Sequence, residues 1–241
     1  MNIYKPLFAK DVRLIGKDPV LVVSVLGPLL LCILARYGFP AASNLTDTYY
    51  SVSLEPYREF TGTLLVVVIP MLAGMLTGLM MLDERDEAII AYYAVTPLRR
   101  SGYLLYRLLL PTALSLLLST VFLAGSQLLN LQWASVLAIP SIALEAPLFG
   151  LFLAAYAANK VEGLALSKIG GLFIAGPAVA NWVPGSWQIL GCWLPTYWPA
   201  KMLLLAEQRE TLAALAAGFT GLMFHVLLLR CMIAAFLKRQ T

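Results

Sequence analysis

Charged side chains are scarce in this sequence: they make up 12% of its 241 residues, whereas 60% are hydrophobic. A typical water-soluble domain has about 25% charged and about 45–50% apolar residues, so this composition excludes a soluble globule. The three cysteines are too few and too scattered for a disulfide framework or a zinc site. No polar domain carries clustered basic residues, so nucleic acid is not expected as a partner.

The sequence also lacks the residue patterns of common active sites. A single histidine provides neither a nucleophile with its base nor metal ligands at a helical spacing such as His-Glu-x-x-His. There is no Gly-x-x-x-x-Gly-Lys-Ser/Thr phosphate loop, so the chain lacks that means of binding ATP. We therefore expect no catalytic residue, no metal site and no cofactor in this chain.

Long uncharged runs dominate the sequence and predict an all-α polytopic membrane protein. A bilayer core about 30 Å thick needs about 20 mostly apolar helical residues to cross it. We predict a single transmembrane domain over residues 1–241 with six spans, at about 19–37, 60–82, 104–127, 133–158, 164–183 and 211–237. The proline-broken, tryptophan-rich stretch from Pro184 to Pro199 predicts a re-entrant or interfacial segment before the sixth span.

The distribution of basic residues predicts the orientation in the membrane. With both termini inside, twelve Lys and Arg residues fall in cytoplasmic segments and four fall outside, as the positive-inside rule requires. We therefore expect a protein integral to the plasma (bacterial inner) membrane, with both termini cytoplasmic. Residues 1–18 predict an amphipathic helix on the membrane surface, and a basic tail without fixed structure is the alternative. The apolar side chains of that helix recur on one face: Tyr4, Phe8, Val12 and Ile15.

The densest charged segment, residues 83–103, lies between the second and third spans. Acidic residues begin it, which favours a helix amino terminus, and apolar residues follow. The segment breaks at Thr96 and Pro97, residue types suited to the cap and first position of the next helix. It predicts a short amphipathic cytoplasmic helix. A solvated loop whose charges only fix topology is the alternative.

This segment resembles the membrane-spanning permease subunits of type-2 ABC exporters. In that family an acidic-basic-acidic cluster ends the second span, and a Thr-Pro motif follows. Here the cluster is Glu84, Arg85, Asp86 and Glu87, and the later motif is Thr96, Pro97 and Leu98. Ala88 and Ile89 stand where the family usually has glycine and threonine. The basic surface helix, six spans, longer first external loop and broken segment before span six follow the family's order.

The resemblance implies that the segment around 84–98 is a coupling helix, with the seven motif residues at an interface with an ABC ATPase subunit. ATP and Mg²⁺ would bind in that separate nucleotide-binding chain. Two permease subunits would form the pathway; a homodimer is the simpler expectation and a heterodimer stays open. The expected function is that of the permease subunit of an ATP-driven exporter, moving an amphiphilic small molecule, drug, lipid or peptide.

Glu145 is a carboxylate near the centre of the fourth span. A charge there costs about 2.5–3.5 kcal/mol on insertion scales, so it should face the bundle interior, be protonated or have a partner. The candidate partners are His225 in span six and Asn181 near the outer end of span five, and all three are candidates for the translocation pathway. A hydrogen bond that only fixes packing is the alternative for Glu145. A proton-coupled secondary carrier using Glu145 and His225 is the alternative function.

Overall fold

A computed structural model of the chain describes residues 4–130 and 132–239, and these form helices and turns without a strand. The helices are α1 (Tyr4–Ile15), α2 (Pro19–Ile33), α3 (Phe39–Tyr50), α4 (Arg58–Asp86), α5 (Ile89–Ala94), α6 (Arg99–Gly125), α7 (Trp133–Tyr156), α8 (Lys160–Gly170), α9 (Ala175–Trp182), α10 (Tyr197–Glu207) and α11 (Thr211–Arg239). A π-helical turn, Leu34–Gly38, joins α2 to α3, and short 3₁₀ helices lie at Glu55–Tyr57, Gly171–Ile174 and Gly185–Leu190.

The prediction of six spans is confirmed, with different bounds. Within the described part of the chain, six helical stretches are long and apolar enough to cross a membrane: Pro19–Tyr50, Glu55–Asp86, Arg99–Gly125, Val136–Tyr156, Lys160–Trp182 and Thr211–Lys238. The first is much longer than the predicted 19–37, and it replaces most of the expected longer external loop. The helix continues because the π-helical turn Leu34–Gly38 leads directly into α3 with helical backbone dihedrals at the junction.

Helices α4 and α7 form the centre of the bundle. In the most apolar windows of their spans 72% and 67% of the residues are buried, compared with 17–28% in the other four spans. The outer spans therefore present apolar side chains on the outside of the bundle. Such a surface is stable only against lipid tails or another apolar protein surface, which makes this chain an integral membrane protein.

Close contact between α4 and α7 depends on glycines. The Gly-x-x-x-Gly spacing of Gly74 and Gly78 predicts a close helix approach, and both glycines face α7. A Cβ added at Gly74 would lie 2.9 Å from the Cβ of Phe149 and would collide with the carbonyl oxygen of Ala146. A Cβ at Gly78 would lie 2.9 Å from the carbonyl oxygen of Gly150. The spacing thus serves packing within the chain.

We expect Gly74→Ala to lower the stability of the purified protein by about 1–3 kcal/mol, because the methyl group would push α4 and α7 apart. Gly171→Ala is the matched control, since a Cβ there meets nothing within 4 Å. Thermal unfolding in detergent measures both changes. An equal unfolding temperature for the two variants would contradict the assigned packing role.

One end of the bundle, here called the terminal end, carries α1, α5 and the last turns of α11. Leu7 of α1, Ile90 of α5 and Phe236 of α11 are buried in one apolar cluster there. The predicted surface helix is present as α1, although residues 1–3 lie outside the described residues. Tyr4, Phe8 and Val12 are exposed on it, available to lipid, as the sequence indicates.

The predicted re-entrant or interfacial segment is a helical return at the opposite end. After the 3₁₀ helix Gly185–Leu190 the chain turns back into the bundle as α10, whose residues Met202–Ala206 are all buried. Trp187 and Trp193 remain exposed before it. Exposed indole rings beside a buried helix are typical of the headgroup level of a membrane.

Candidate functional site

A fully buried arginine connects three helices at the terminal end. Arg107, in the third turn of α6, donates from Nη1 and Nη2 to the two carboxylate oxygens of Asp11 on α1, at 2.8 and 3.0 Å. It also donates from Nε and Nη2 to the two oxygens of Glu84 on α4, at 3.0 and 2.6 Å. Its planar donors therefore meet both carboxylates in a bidentate arrangement, the strongest form of such a pair.

Three further side chains complete this group, which we call the arginine cluster: Arg107, Asp11, Glu84, Lys10, Tyr103 and Tyr106. The hydroxyl of Tyr103 donates to Glu84 at 2.9 Å, and that of Tyr106 donates to Asp11 at 2.8 Å. Lys10 Nζ lies 3.3 Å from Glu84. Two carboxylates thus face two cations, and pairing of this kind is what makes burial of charge tolerable.

The structure divides the predicted coupling residues between the inside and the outside of the bundle. Glu84 is 2% exposed and belongs to the arginine cluster, so it is not on the surface where the resemblance places it. Arg85 turns to the end of α7 and donates to the carbonyl oxygens of Ala154, Ala157 and Ala158 at 2.7–3.1 Å. Asp86 and Glu87 are exposed.

The predicted short amphipathic helix is present as α5. A turn at Ala88, which has a left-handed φ of 56°, separates it from α4. Glycine takes that conformation without strain, which gives a physical reason for the glycine usual here in the resembling family. Ile90 is buried, whereas Tyr92 is 65% exposed.

Thr96 and Pro97 do not begin the next helix as the sequence suggests. The Thr96 hydroxyl donates back to the carbonyl oxygen of Tyr93 at 2.8 Å, and α6 begins later, at Arg99. The hydroxyl therefore stabilises the end of α5. Leu98 is buried, while Pro97 is exposed. Between α1 and α5 a groove of about 390 Å³ opens at the terminal end, lined by residues that include Leu7, Lys10, Tyr92, Thr96, Pro97 and Leu98.

A second ion group lies beside the arginine cluster. Lys160, at the start of α8, lies 2.8 Å from Asp18 and 2.6 Å from Asp83. The hydrogen bond from Lys160 holds the pKa of the Asp18 carboxyl below its ordinary value. Asp18 also accepts from the backbone N–H of Val20 at 2.9 Å and so caps α2. The entries to spans one and five and the end of span two are therefore held together.

Glu145 and His225 meet in the middle of the bundle. Glu145 on α7 is 3% exposed, His225 on α11 is fully buried, and Oε1 of Glu145 lies 3.7 Å from Nε2 of His225. His225 Nδ1 lies 2.6 Å from the carbonyl oxygen of Gly221. The sequence left His225 and Asn181 open as partners of Glu145. The structure places His225 beside it and leaves Asn181 exposed on α9.

A small apolar cavity, the Glu145 cavity, opens beside this pair. It has a volume of about 160 Å³, and its lining includes Phe149, Phe152, Phe173 and Trp193 together with Glu145. Among the described residues, both Glu145 oxygens and His225 Nε2 are buried polar atoms without a hydrogen bond. A separation of 3.7 Å is too long for one.

Sequence reasoning missed Arg107, Asp11, Tyr103 and Tyr106 as members of a site. One signal was present, because Arg107 falls inside the predicted span 104–127, and a charge within a span requires a partner. Tyr103 lies four residues earlier, hence on the same helical face. Nothing in the sequence indicated which carboxylates pair with Arg107, because Asp11 and Glu84 are far from it along the chain.

We expect Arg107→Met to destabilise the protein by about 3–5 kcal/mol, because the apolar side chain leaves two carboxylates buried without their partner. Arg107→Lys keeps the positive charge but not the bidentate geometry, so its stability should lie between that of the parent protein and that of Arg107→Met. Arg100→Met, at an exposed position of the same helix, is the matched control. Thermal unfolding in detergent measures the series. Equal loss in Arg107→Met and Arg100→Met would show that the cluster does not hold the helices.

Comparison with known proteins agrees with this architecture. Residues 11–233 match a protein family described as "Fluoroquinolones export permease protein Rv2686c-like". Two similar curated proteins are the fluoroquinolones export permease proteins MT2760 and Rv2686c of Mycobacterium tuberculosis, from strains CDC 1551 / Oshkosh and ATCC 25618 / H37Rv. Each is 26% identical over 209 residues, which cover 83% of this chain and 81% of the relative. No solved structure matches the chain.

Proposed function

Because the chain belongs to the Rv2686c-like fluoroquinolones export permease family, we propose that it is the membrane-spanning subunit of an ATP-driven exporter. The family and the six apolar helices make it an integral membrane transport permease. The proposal adds the energy source and the cargo. The cargo class is an amphiphilic small molecule, and the names of the relatives make a fluoroquinolone the first compound to test.

The observation that supports ATP coupling is the exposed surface at the terminal end, which we call the docking surface. It consists of the exposed residues Asp86, Glu87, Tyr92, Val95, Pro97, Arg99 and Arg100. Val95 is 85% exposed and Tyr92 is 65% exposed between charged side chains, although an apolar side chain gains nothing from contact with water. Charges of both signs around an apolar centre are typical of a surface that contacts another protein.

The arginine cluster gives this surface a mechanical connection to the membrane. Glu84 lies in the last turn of α4, just before the docking surface, and Arg107 links it to α6 and α1. A partner that pushes on α5 would therefore move three helices together instead of bending one loop. ATP and Mg²⁺ would bind in the separate ATPase chain, and its closure would favour one of two access states of the spans.

Two permease copies would complete the transporter in this proposal, with membrane lipid around them. The apolar outer faces of α2, α6 and α11 offer surface for both contacts. The terminal end would face the cytoplasm, where the ATPase is. A homodimer needs no further chain, and the sequence keeps a heterodimer open.

Orientation can be tested with reporter fusions. We expect green fluorescent protein fused after Thr241 to fluoresce, and alkaline phosphatase fused after Asn130 to be active outside the cytoplasm, because twelve basic residues favour retention of the terminal end. The reverse pattern would place the docking surface on the side without ATP and would rule out ATP coupling through it.

The main test is purification of the tagged chain from its native membrane. We expect an ATPase chain with a phosphate loop to co-purify, and we expect Glu87→Lys to uncouple ATP hydrolysis from export at least about tenfold, because it reverses an exposed charge at the dock. Fluoroquinolone export from inverted vesicles measures coupling. Glu84→Lys cannot serve as the test of coupling, because it would place a second cation against buried Arg107 and so disturb the arginine cluster itself.

Glu210→Lys is the matched control for Glu87→Lys. It makes the same charge reversal at an exposed carboxylate on the opposite end of the bundle, before α11. Coupling should stay within about twofold of the parent in this variant. Equal uncoupling by both variants would remove the docking surface from the proposal.

The Glu145–His225 pair favours one second candidate, a proton-coupled carrier. The pair is buried at mid-membrane. Neither the Glu145 oxygens nor Nε2 of His225 makes a hydrogen bond within the described chain, as expected of a proton relay. Transport by the purified chain alone, driven by a pH gradient without ATP, would establish this alternative and exclude the exporter.

A further inference from the structure

The Glu145 cavity contains a carboxylate that the protein does not satisfy. Glu145 is the one ionisable side chain among the described residues that line the cavity, and neither of its oxygens accepts a hydrogen bond from the described chain. Two other lining side chains carry a polar atom: Thr196, which already donates to the carbonyl oxygen of Phe173, and Trp193, which is largely exposed. A buried acceptor without a donor is costly, so its retention requires a compensating ligand or proton.

His225 cannot meet this need on its own when it is neutral. The carbonyl oxygen of Gly221 only accepts, so the short contact puts a hydrogen on Nδ1 of His225. Nε2, which faces Glu145, then has a lone pair in the neutral ring. At 3.7 Å from Oε1 of Glu145, Nε2 makes no hydrogen bond to the carboxylate, which stays without a donor from the described chain. A cation that enters the cavity can supply the partner that the Glu145 carboxylate lacks.

The walls of the cavity suit an aromatic cation. Phe149, Phe152 and Phe173 form a mutual cluster with ring centroids 6.1–6.2 Å apart, and Phe173 meets the other two edge-on. Trp193 joins them in the lining. Aromatic faces attract cations within about 6 Å and also stack on ligand rings. Aromatic walls around a single carboxylate therefore provide both an apolar and a charged contact.

The volume limits what fits. Cavities for drug-sized ligands measure about 300–1,000 Å³, whereas this one measures about 160 Å³. It can enclose one ring with its charged nitrogen, while the rest of a larger molecule would extend past exposed Trp193.

We propose that the Glu145 cavity binds the ring-bearing cationic group of the cargo, with the Glu145 carboxylate against the positive nitrogen and the aromatic side chains around it. This inference rests on the proposed export function and narrows its cargo to amphiphiles that carry an organic cation. Glu145 is then the specificity-determining residue.

The test uses the full chain in lipid nanodiscs and radiolabelled benzyltrimethylammonium, which has one aromatic ring and a permanent positive charge. Equilibrium dialysis against empty nanodiscs measures binding. We expect Glu145→Gln to weaken binding at least about tenfold, because it keeps the shape of the side chain and removes the charge-assisted contact. Glu210→Gln makes the same change at an exposed carboxylate and should stay within about twofold.

Phe173→Leu is a second variant that keeps an apolar wall and removes one aromatic face. It should weaken binding about threefold, and it keeps the test decisive if Glu145→Gln does not fold. No binding by the parent chain, or equal binding by the parent, Glu145→Gln and Phe173→Leu, overturns the inference. Assays of ATP-driven export separate the two proposals. Export with charge-insensitive binding rejects this site alone, and Glu145-dependent binding without ATP coupling rejects the ATP-driven exporter alone.

Discussion

The buried guanidinium of Arg107 constrains the whole terminal end of the bundle. A charge removed from water is stable only while its partners stay in place, and here the partners come from α1 and α4. Each helix could leave the cluster only by exposing an unpaired charge to a low-dielectric interior, where unscreened charges interact strongly. The cluster therefore holds the surface helix, span two and span three in one arrangement, next to the α5 segment that follows α4.

In the middle of the bundle, in contrast, the buried carboxylate lacks hydrogen-bond partners within the described chain. Every carboxylate oxygen in the arginine cluster has a donor, whereas both oxygens of Glu145 have none within the described chain. A fully satisfied polar group fixes one arrangement, while a partly satisfied one leaves free energy available to a ligand or to another arrangement. A transporter needs both kinds, one to transmit motion and the other to respond to cargo.

The sequence was most informative where the bilayer sets the constraint. Five long uncharged runs, one of them divided by a polar break, predicted six spans because a crossing helix must satisfy its backbone internally and carry few charges. The sequence did not predict α3, which extends the first span beyond residue 37, because no bilayer constraint fixes where a helix ends beyond the membrane. The arginine cluster could not be predicted from the sequence, because the contact among Asp11, Glu84 and Arg107 depends on how three helices pack. The choice between His225 and Asn181 stayed open for the same reason.

The charged run from Asp83 to Glu87 around the end of α4 contacts both the interior of the bundle and the solvent. Successive helical residues point about 100° apart, so a charged run cannot face a single environment. Glu84 therefore points to Arg107, Arg85 to the end of α7, and Asp86 and Glu87 to solvent. The left-handed turn at Ala88 then stops α4 and folds α5 across the terminal end. The inward charges fix the helices, and this leaves the outward charges at a defined position for a partner to contact.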